Sequence, residues 1–226
     1  AVFVIKGSLS PGVEDESTRK LAEVVIKGTG DNKIAIIPIK GVITAQSTKN
    51  LLVETPSIVE NVKKQLDQAR EDDAVKAVIL DVDSPGGGIT ASDIIYKEIL
   101  SFKETTGKKV IVIMRDVAAS GAYYISAAAD RIIAHPTSVT GSIGVIMPLV
   151  NVAPLAEKFG ISVASIKSGD MKDIGSPFKE MSDEERKVLR DIVDEMYTRF
   201  LQIISDGRNM KIEDVRKLAD GRIFTG

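Results

Sequence analysis

Residues 74–117, AVKAVILDVDSPGGGITASDIIYKEILSFKETTGKKVIVIMRDV, decide the architecture. Two apolar runs, AVKAVILDVDS (74–84) and KKVIVIMRDV (108–117), are rich in β-branched residues and read as buried strands. Between them PGGG (85–88) stops the first strand, because proline withholds an amide and glycine frees the backbone to turn. ITASDIIYKEILSFKETTG (89–107) then places apolar residues at helical spacing. Strand, helix and strand in that order mean a parallel pair joined by a crossover.

The alternation continues in both directions. Upstream, KIAIIPIKGVI (33–43) reads as a buried strand and TPSIVENVKKQLDQAREDD (55–73) as an amphipathic helix. Downstream, ASGAYYISAAAD (119–130) reads as a helix, RIIAHP (131–136) and GSIGVIM (141–147) as short strands, and APLAEKFG (153–160) as a short helix. A strand at ISVASIKSG (161–169) and a long helix at SDEERKVLRDIVDEMYTRFLQIISDGR (182–208) follow, the latter opened by a capping box at Ser182 and Glu185. KIEDVRKLADG (211–221) is a last helical piece. The expectation is an α/β fold with largely parallel strands. Residues 1–32, with an SPG turn, the acidic run VEDES and a strand candidate at AEVVIKG (22–28), read as an N-terminal extension to one domain spanning 33–226.

Composition narrows the chemistry. The 226 residues carry a net charge of −2, six Phe, four Tyr and no Trp, so nucleic acid finds neither a basic face nor many stacking platforms. With no cysteine, disulfides and thiolate catalysis are excluded. A single histidine, His135, leaves a zinc site short of its usual ligands. A Ser-His-Asp triad would also have to use His135, which RIIAHPTS places before a proline at a strand end expected to face solvent. No stretch reaches the roughly 18 uninterrupted apolar residues of a membrane span. The chain opens on AVFVIKG without methionine and closes on DGRIFTG, so it reads as a piece of a longer protein.

In parallel α/β sheets ligands gather beyond the carboxyl ends of strands. Three such ends carry suggestive residues. DVDSPGGG (81–88) offers a bare backbone edge with free amides, suited to an oxyanion or an extended peptide, and it lacks the spacing of a phosphate-binding loop. The strand ending at 117 delivers Ala119-Ser120-Gly121 to the start of a helix. Ser120 there is either an N-cap or a nucleophile on a turn. The third end, IKSGDMKDIGSP (166–177), presents Lys172 in a glycine-flanked loop. With histidine nearly excluded, lysine is the remaining base for a serine, and it must be neutral, which requires desolvation from its usual pKa of about 10.4.

Taken together, DSPGGG (83–88), AASGAYYISAAADRIIAHPTSVTGSIGV (118–145) and SGDMKDIGSP (168–177) resemble the motifs, in order, of the signal peptide peptidase A family of membrane-bound serine proteases. The likeness runs from about residue 33 to the end and includes the 52-residue spacing from Ser120 to Lys172. It implies a Clp protease/crotonase-like spiral of parallel strands with crossover helices. It implies Ser120 as nucleophile, Lys172 as general base, and Ser142 in TGSIG as the hydroxyl that orients the lysine. The amides of Gly87 and Gly121 are implied as the oxyanion hole, with Gly86 beside them, and no cofactor or metal is called for.

The family implies peptide substrates, chiefly cleaved signal peptides and other hydrophobic peptides released in or near the membrane. It also implies a catalytic domain outside the cytoplasm at the cell membrane, an N-terminal anchor absent from this chain, and a homo-octamer. This chain resembles a half-size member, with one dyad per protomer, and its lysine serves either its own protomer or a neighbour. Two other readings share the fold: the stomatin-associated membrane protease, also a Ser-Lys enzyme, and an acyl-CoA enzyme of the crotonase type. The SPGGG and TGSIGV stretches favour the first family over the stomatin-associated protease, and Ser120 and Lys172 stand where crotonase-type enzymes usually place acids or a glycine-rich CoA site. Peptide hydrolysis is expected to survive chelators and thiol reagents, and His135→Gln to leave its rate largely unchanged. Loss of most of the rate under any of these in a peptide-release assay would require a different chemistry.

Overall fold

The computed structural model describes the backbone of residues 1–6, 21–49 and 54–226. The SPG turn and the acidic run at 13–17 lie outside the described residues. By the clustering of its contacts the chain forms two compact units, residues 1–144 with 200–226, and residues 145–199.

The first unit is built on the strand–helix–strand stretch as read. β6 (Val75–Ser84), α2 (Ile89–Thr106) and β7 (Lys109–Ala119) follow in that order, and β6 pairs parallel with β7. β3 (Lys33–Lys40) lies parallel on the other edge of β6, so β6 is central and buries Val75, Val78, Leu80 and Val82. The first half of β7 pairs parallel with β8 (Arg131–Ala134), and its end pairs with β9 (Val139–Gly141). β10 (Ile223–Thr225) closes that side antiparallel to β9. The α/β class with a mostly parallel sheet and crossover helices therefore holds.

α1 (Ile58–Glu71) starts at the Thr-Pro-Ser signal. Ser57 Oγ accepts the Glu60 amide and Glu60 accepts the Ser57 amide, a complete capping box. Its apolar stripe, Val62, Leu66 and Ala69, is buried, and the helix packs against β3 and α2. α2 in turn packs against α3 (Gly121–Ser126). A small ladder, β4 (Thr48–Lys49) with β5 (Glu54–Thr55), completes the strands before α1.

At the N-terminus the strand expected at 22–28 is β2 (Ala22–Lys27). It pairs antiparallel with β1 (Val2–Lys6), which lies parallel to β3 and fully buries Phe3 and Ile5. The described part of residues 1–32 thus extends the central sheet.

Two strands expected further on are absent. GSIGVIM contributes only Gly141 to β9, and ISVASIKSG contains no strand. In the second unit residues 145–147 and 161–169 have no described strand beside them, and a strand exists only as a hydrogen-bonded pair. The β-branched side chains of 161–169 stay outside, with Ile161, Val163 and Ile166 all exposed. The second unit instead holds α4 (Ala153–Lys158), a 3₁₀ turn at Asp170–Asp173, and the first turns of α5 (Asp183–Arg208). α6 (Ile212–Leu218) belongs to the first unit.

Leu80 is fully buried in the central strand, so Leu80→Ala removes packing that neighbours cannot refill. It is expected to destabilise the protein by about 2–5 kcal/mol in denaturant unfolding; a loss below about 1 kcal/mol would contradict this packing.

Candidate active site

Ser120 follows the last residue of β7 and precedes α3. Its backbone, φ 53° and ψ −121°, lies outside the extended region that an N-cap uses, and its side chain makes no capping hydrogen bond. The capping alternative therefore fails. Among the described non-glycine residues only Ser120, Ser142 and Asn209 have positive φ, so both candidate serines stand on strained backbone.

Packing holds the strain in place. The Ser120 amide donates to the Gly141 carbonyl at 2.8 Å, and its carbonyl accepts the Tyr124 amide at 2.9 Å. Tyr124 donates its hydroxyl to Asp93 at 2.7 Å and meets the Tyr96 ring edge-on at 5.6 Å. Ala122 and Ile125 are fully buried. With its helix pinned at several points, Ser120 has little freedom to relax into a common conformation.

The glycine turn is fixed against this serine. Ile43 donates its amide to the Gly86 carbonyl at 2.8 Å and accepts the Gly88 amide at 2.9 Å, a parallel bridge centred on Gly87. A Cβ at Gly87 would overlap the Ile43 carbonyl oxygen. Gly86 has φ +98°, and a Cβ there would stand 2.6 Å from the Gly121 nitrogen and 2.8 Å from Ser120 Cβ. Only glycine permits that approach. The Cβ position of Gly121 lies 3.2 Å from the Gly87 nitrogen. Neither the Gly87 nor the Gly121 amide donates to an acceptor among the described residues. Two unoccupied N–H groups thus sit beside one hydroxyl, an arrangement suited to a developing oxyanion.

Ser142 follows Gly141, whose carbonyl receives the Ser120 amide, so the two serines are linked through one peptide unit. Ser142 is half-buried with φ 50°, and its amide donates to the Arg222 carbonyl at 2.8 Å. The first unit therefore brings together Ser120, Ser142, Gly86, Gly87 and Gly121. His135 is exposed, its Nδ1 2.8 Å from Thr137 Oγ1.

Lys172 belongs to the second unit, exposed on the 3₁₀ turn. Its turn is held by a charge network that sequence reading missed. Asp173 accepts Lys167 Nζ at 2.8 Å and Lys179 Nζ at 2.7 Å, and Lys179 also reaches Glu185 at 2.5 Å. Glu185 is buried and completes the capping box, its other oxygen accepting the Ser182 amide at 3.0 Å. The lysine hydrogen bonds hold the Asp173 carboxyl down at about 2. Lys179, chiefly through Asp173, is pushed up, and Glu185, chiefly through Lys179, is pushed down. Lys167 and Lys179 are both engaged, whereas Lys172 has no ion pair among the described residues. Only the Ser182/Glu185 spacing was available beforehand as a signal for this network.

Residues 103–226, more than half the chain, match peptidase family S49. The chain belongs to that family. It is 41% identical over 204 residues to the putative signal peptide peptidase SppA of Enterococcus faecium, covering 90% of this chain and 59% of the relative. It is 34% identical over 195 residues to protease 4 of Haemophilus influenzae, covering 86% and 31%. To the chloroplastic serine protease SPPA of Arabidopsis thaliana it is 34% identical over 198 residues, covering 87% and 29%. The chain thus spans less than two thirds of the length of each relative. S49 membership places it in a peptidase family.

The charge network has a pH signature. Asp173 is held below its ordinary value of 3.8, so its contribution to stability is complete above about pH 4 and is lost as pH falls toward about 2. Asp173→Asn is expected to melt lower than wild type near pH 5 and level with it near pH 2. Parallel melting curves at the two pH values would show that the network adds nothing.

Proposed function

We propose that this chain is the catalytic part of a serine endopeptidase that works through a Ser120–Lys172 dyad. The observation that carries the reading is the strained Ser120 beside the free amides of Gly87 and Gly121. In this mechanism Lys172 Nζ takes the Ser120 proton as Oγ attacks the peptide carbonyl carbon. The oxygen that becomes negative accepts the two glycine amides. Collapse breaks the C–N bond, and the Lys172 ammonium returns the proton to the departing amine. Water then attacks the acyl-serine as Lys172 takes its proton; the ester C–O bond breaks, Lys172 returns that proton to Ser120 Oγ, and the second product leaves as a carboxylic acid. Ser142 holds the lysine amine toward Ser120.

A lysine base has to be dehydrated to be neutral near pH 7. Lys172 is exposed within its own unit, so the proposal assigns that dehydration to assembly of several copies, as a homo-octamer. The same unit supports self-association by exposing large apolar side chains, among them Ile146 at 80% and Phe159 at 71%. The proposed substrates are hydrophobic peptides, above all cleaved signal peptides. The proposed setting is the outer side of the cell membrane, with an anchor preceding this chain. No helix among the described residues is long and apolar enough to cross a membrane.

A fluorophosphonate followed by peptide mapping tests the assignment. Label is expected on Ser120 and absent in Ser120→Ala, with circular dichroism unchanged. Lys172→Met is expected to lower peptide hydrolysis by about 10²-fold or more, the usual worth of a general base. Ser142→Ala is expected to slow turnover while leaving Ser120 reactive. Label on Ser142 would exchange the two serine roles, and full turnover without the Ser120 hydroxyl would reject the reading.

A further inference from the structure

The second unit contains a cavity of about 500 Å³, within the range of small-ligand sites. Met147 and Leu149, from the segment after β9, and Leu189 and Val193, from α5, give it apolar walls. Met147 and Leu149 are 41% and 46% exposed, so this apolar surface is open to an occupant. Lys179, Arg186, Arg190 and Asp194 supply the charge.

These charges are not equivalent. Lys179 is neutralised by Asp173 and Glu185. Arg186 and Arg190 have no ion pair or side-chain hydrogen bond among the described residues. Four residues apart on α5, they stack on one helix face about 6 Å apart along the axis. Asp194 sits one turn further on, so it repels an anion from that end and leaves the Arg186 end favoured. Asn151 and Ser176 also line the cavity. The Asn151 carbonyl oxygen already accepts the Ala153 amide at 2.9 Å, which leaves its NH₂ available to a ligand.

We infer that this cavity binds the free C-terminal end of an apolar peptide, its carboxylate on the Arg186–Arg190 pair and its side chains on the apolar walls. An inorganic anion would leave those walls uncovered. A neutral apolar body would leave two guanidinium forks unmatched, and the planar fork suits a carboxylate. Asn151 and Ser176 can meet the peptide backbone. The inference rests on the peptidase reading and deepens it: the enzyme would prefer segments already cut free, which carry a terminal carboxylate, over internal loops of intact proteins.

The test measures binding without turnover, so it stands apart from the dyad. An N-terminally fluorescein-labelled Leu-Ala-Leu-Ala-Leu peptide, as free acid and as C-terminal amide, is titrated with Ser120→Ala protein by fluorescence anisotropy. The acid is expected to bind about tenfold tighter or more. Arg186→Gln with Arg190→Gln, both exposed positions, should erase that difference while fluorophosphonate labelling of Ser120 in the parent background stays unchanged. Equal binding of acid and amide would overturn the inference, as would an acid preference that survives both substitutions. Displacement of the peptide by decanoate at equal or lower concentration would instead make this a fatty-acid site. If the double substitution dissociates the oligomer in sedimentation, the face is a contact between copies and the inference fails.

Discussion

The site depends on a contact between two pieces of backbone. Gly86–Gly87 lies so close to Ser120–Gly121 that no side chain fits between them, and the Ile43 bridge clamps the glycine turn from behind. β6 and β7, parallel and adjacent, deliver both pieces to the same end of the sheet. The register shift between Val82 and Ser84 lets Ser84 pair with Ala118, which brings the turn level with the serine. Burial of β6, β7 and their helices supplies the stability that pays for a strained serine. Free amides can persist there because the turn offers them no internal acceptor.

The second unit meets a different requirement. A short exposed 3₁₀ turn has little packing of its own, and it is fastened instead by charge. Asp173 gathers two lysines, and one of them reaches back to buried Glu185 in the first turn of α5. Glu185 therefore serves twice, as helix cap and as anchor for the loop. Exposed ion pairs taken singly contribute little to stability, but a network joined to a buried cap fixes geometry. It fixes the geometry of the turn that carries Lys172 while leaving that amine without an ion pair among the described residues.

Legibility in the sequence followed the length and regularity of each pattern. β3, β6, β7 and the helices α1, α2 and α5 were readable because apolar residues recur over whole elements. β1 was not, because five residues at the chain start carry too short an alternation, and only pairing with β3 gives it a place. Residues 161–169 show the opposite failure: β-branched Ile161, Val163 and Ile166 look like a strand, yet no strand among the described residues takes them up. Turn chemistry at strand ends drew notice to Ser120 and to the glycine turn, while the roles of Ser120, Gly87 and Gly121 came from the family resemblance. The strain at Ser120 and Ser142 was not, since a dihedral angle is imposed by packing and serine carries no sign of it. Lys167 and Lys179 look like ordinary surface lysines, so their engagement with Asp173 became visible only in three dimensions. The division into two units left no trace in composition either.

The scarcity of histidine ties these features together. A histidine base titrates near neutral pH and works while partly solvated, so a triad built on one can be complete in a single protomer. This chain has one histidine, which is exposed and engaged with Thr137. A serine that must use lysine needs its base dehydrated, and dehydration requires surface that the lysine's own unit does not provide. Such an enzyme gains a safeguard from that requirement. A base left hydrated activates no serine, so an enzyme of this kind would hydrolyse peptides only where its catalytic groups are enclosed. Exposed apolar side chains such as Ile146 and Phe159 suit such a scheme, since burying them between copies would supply free energy for association and exclude water.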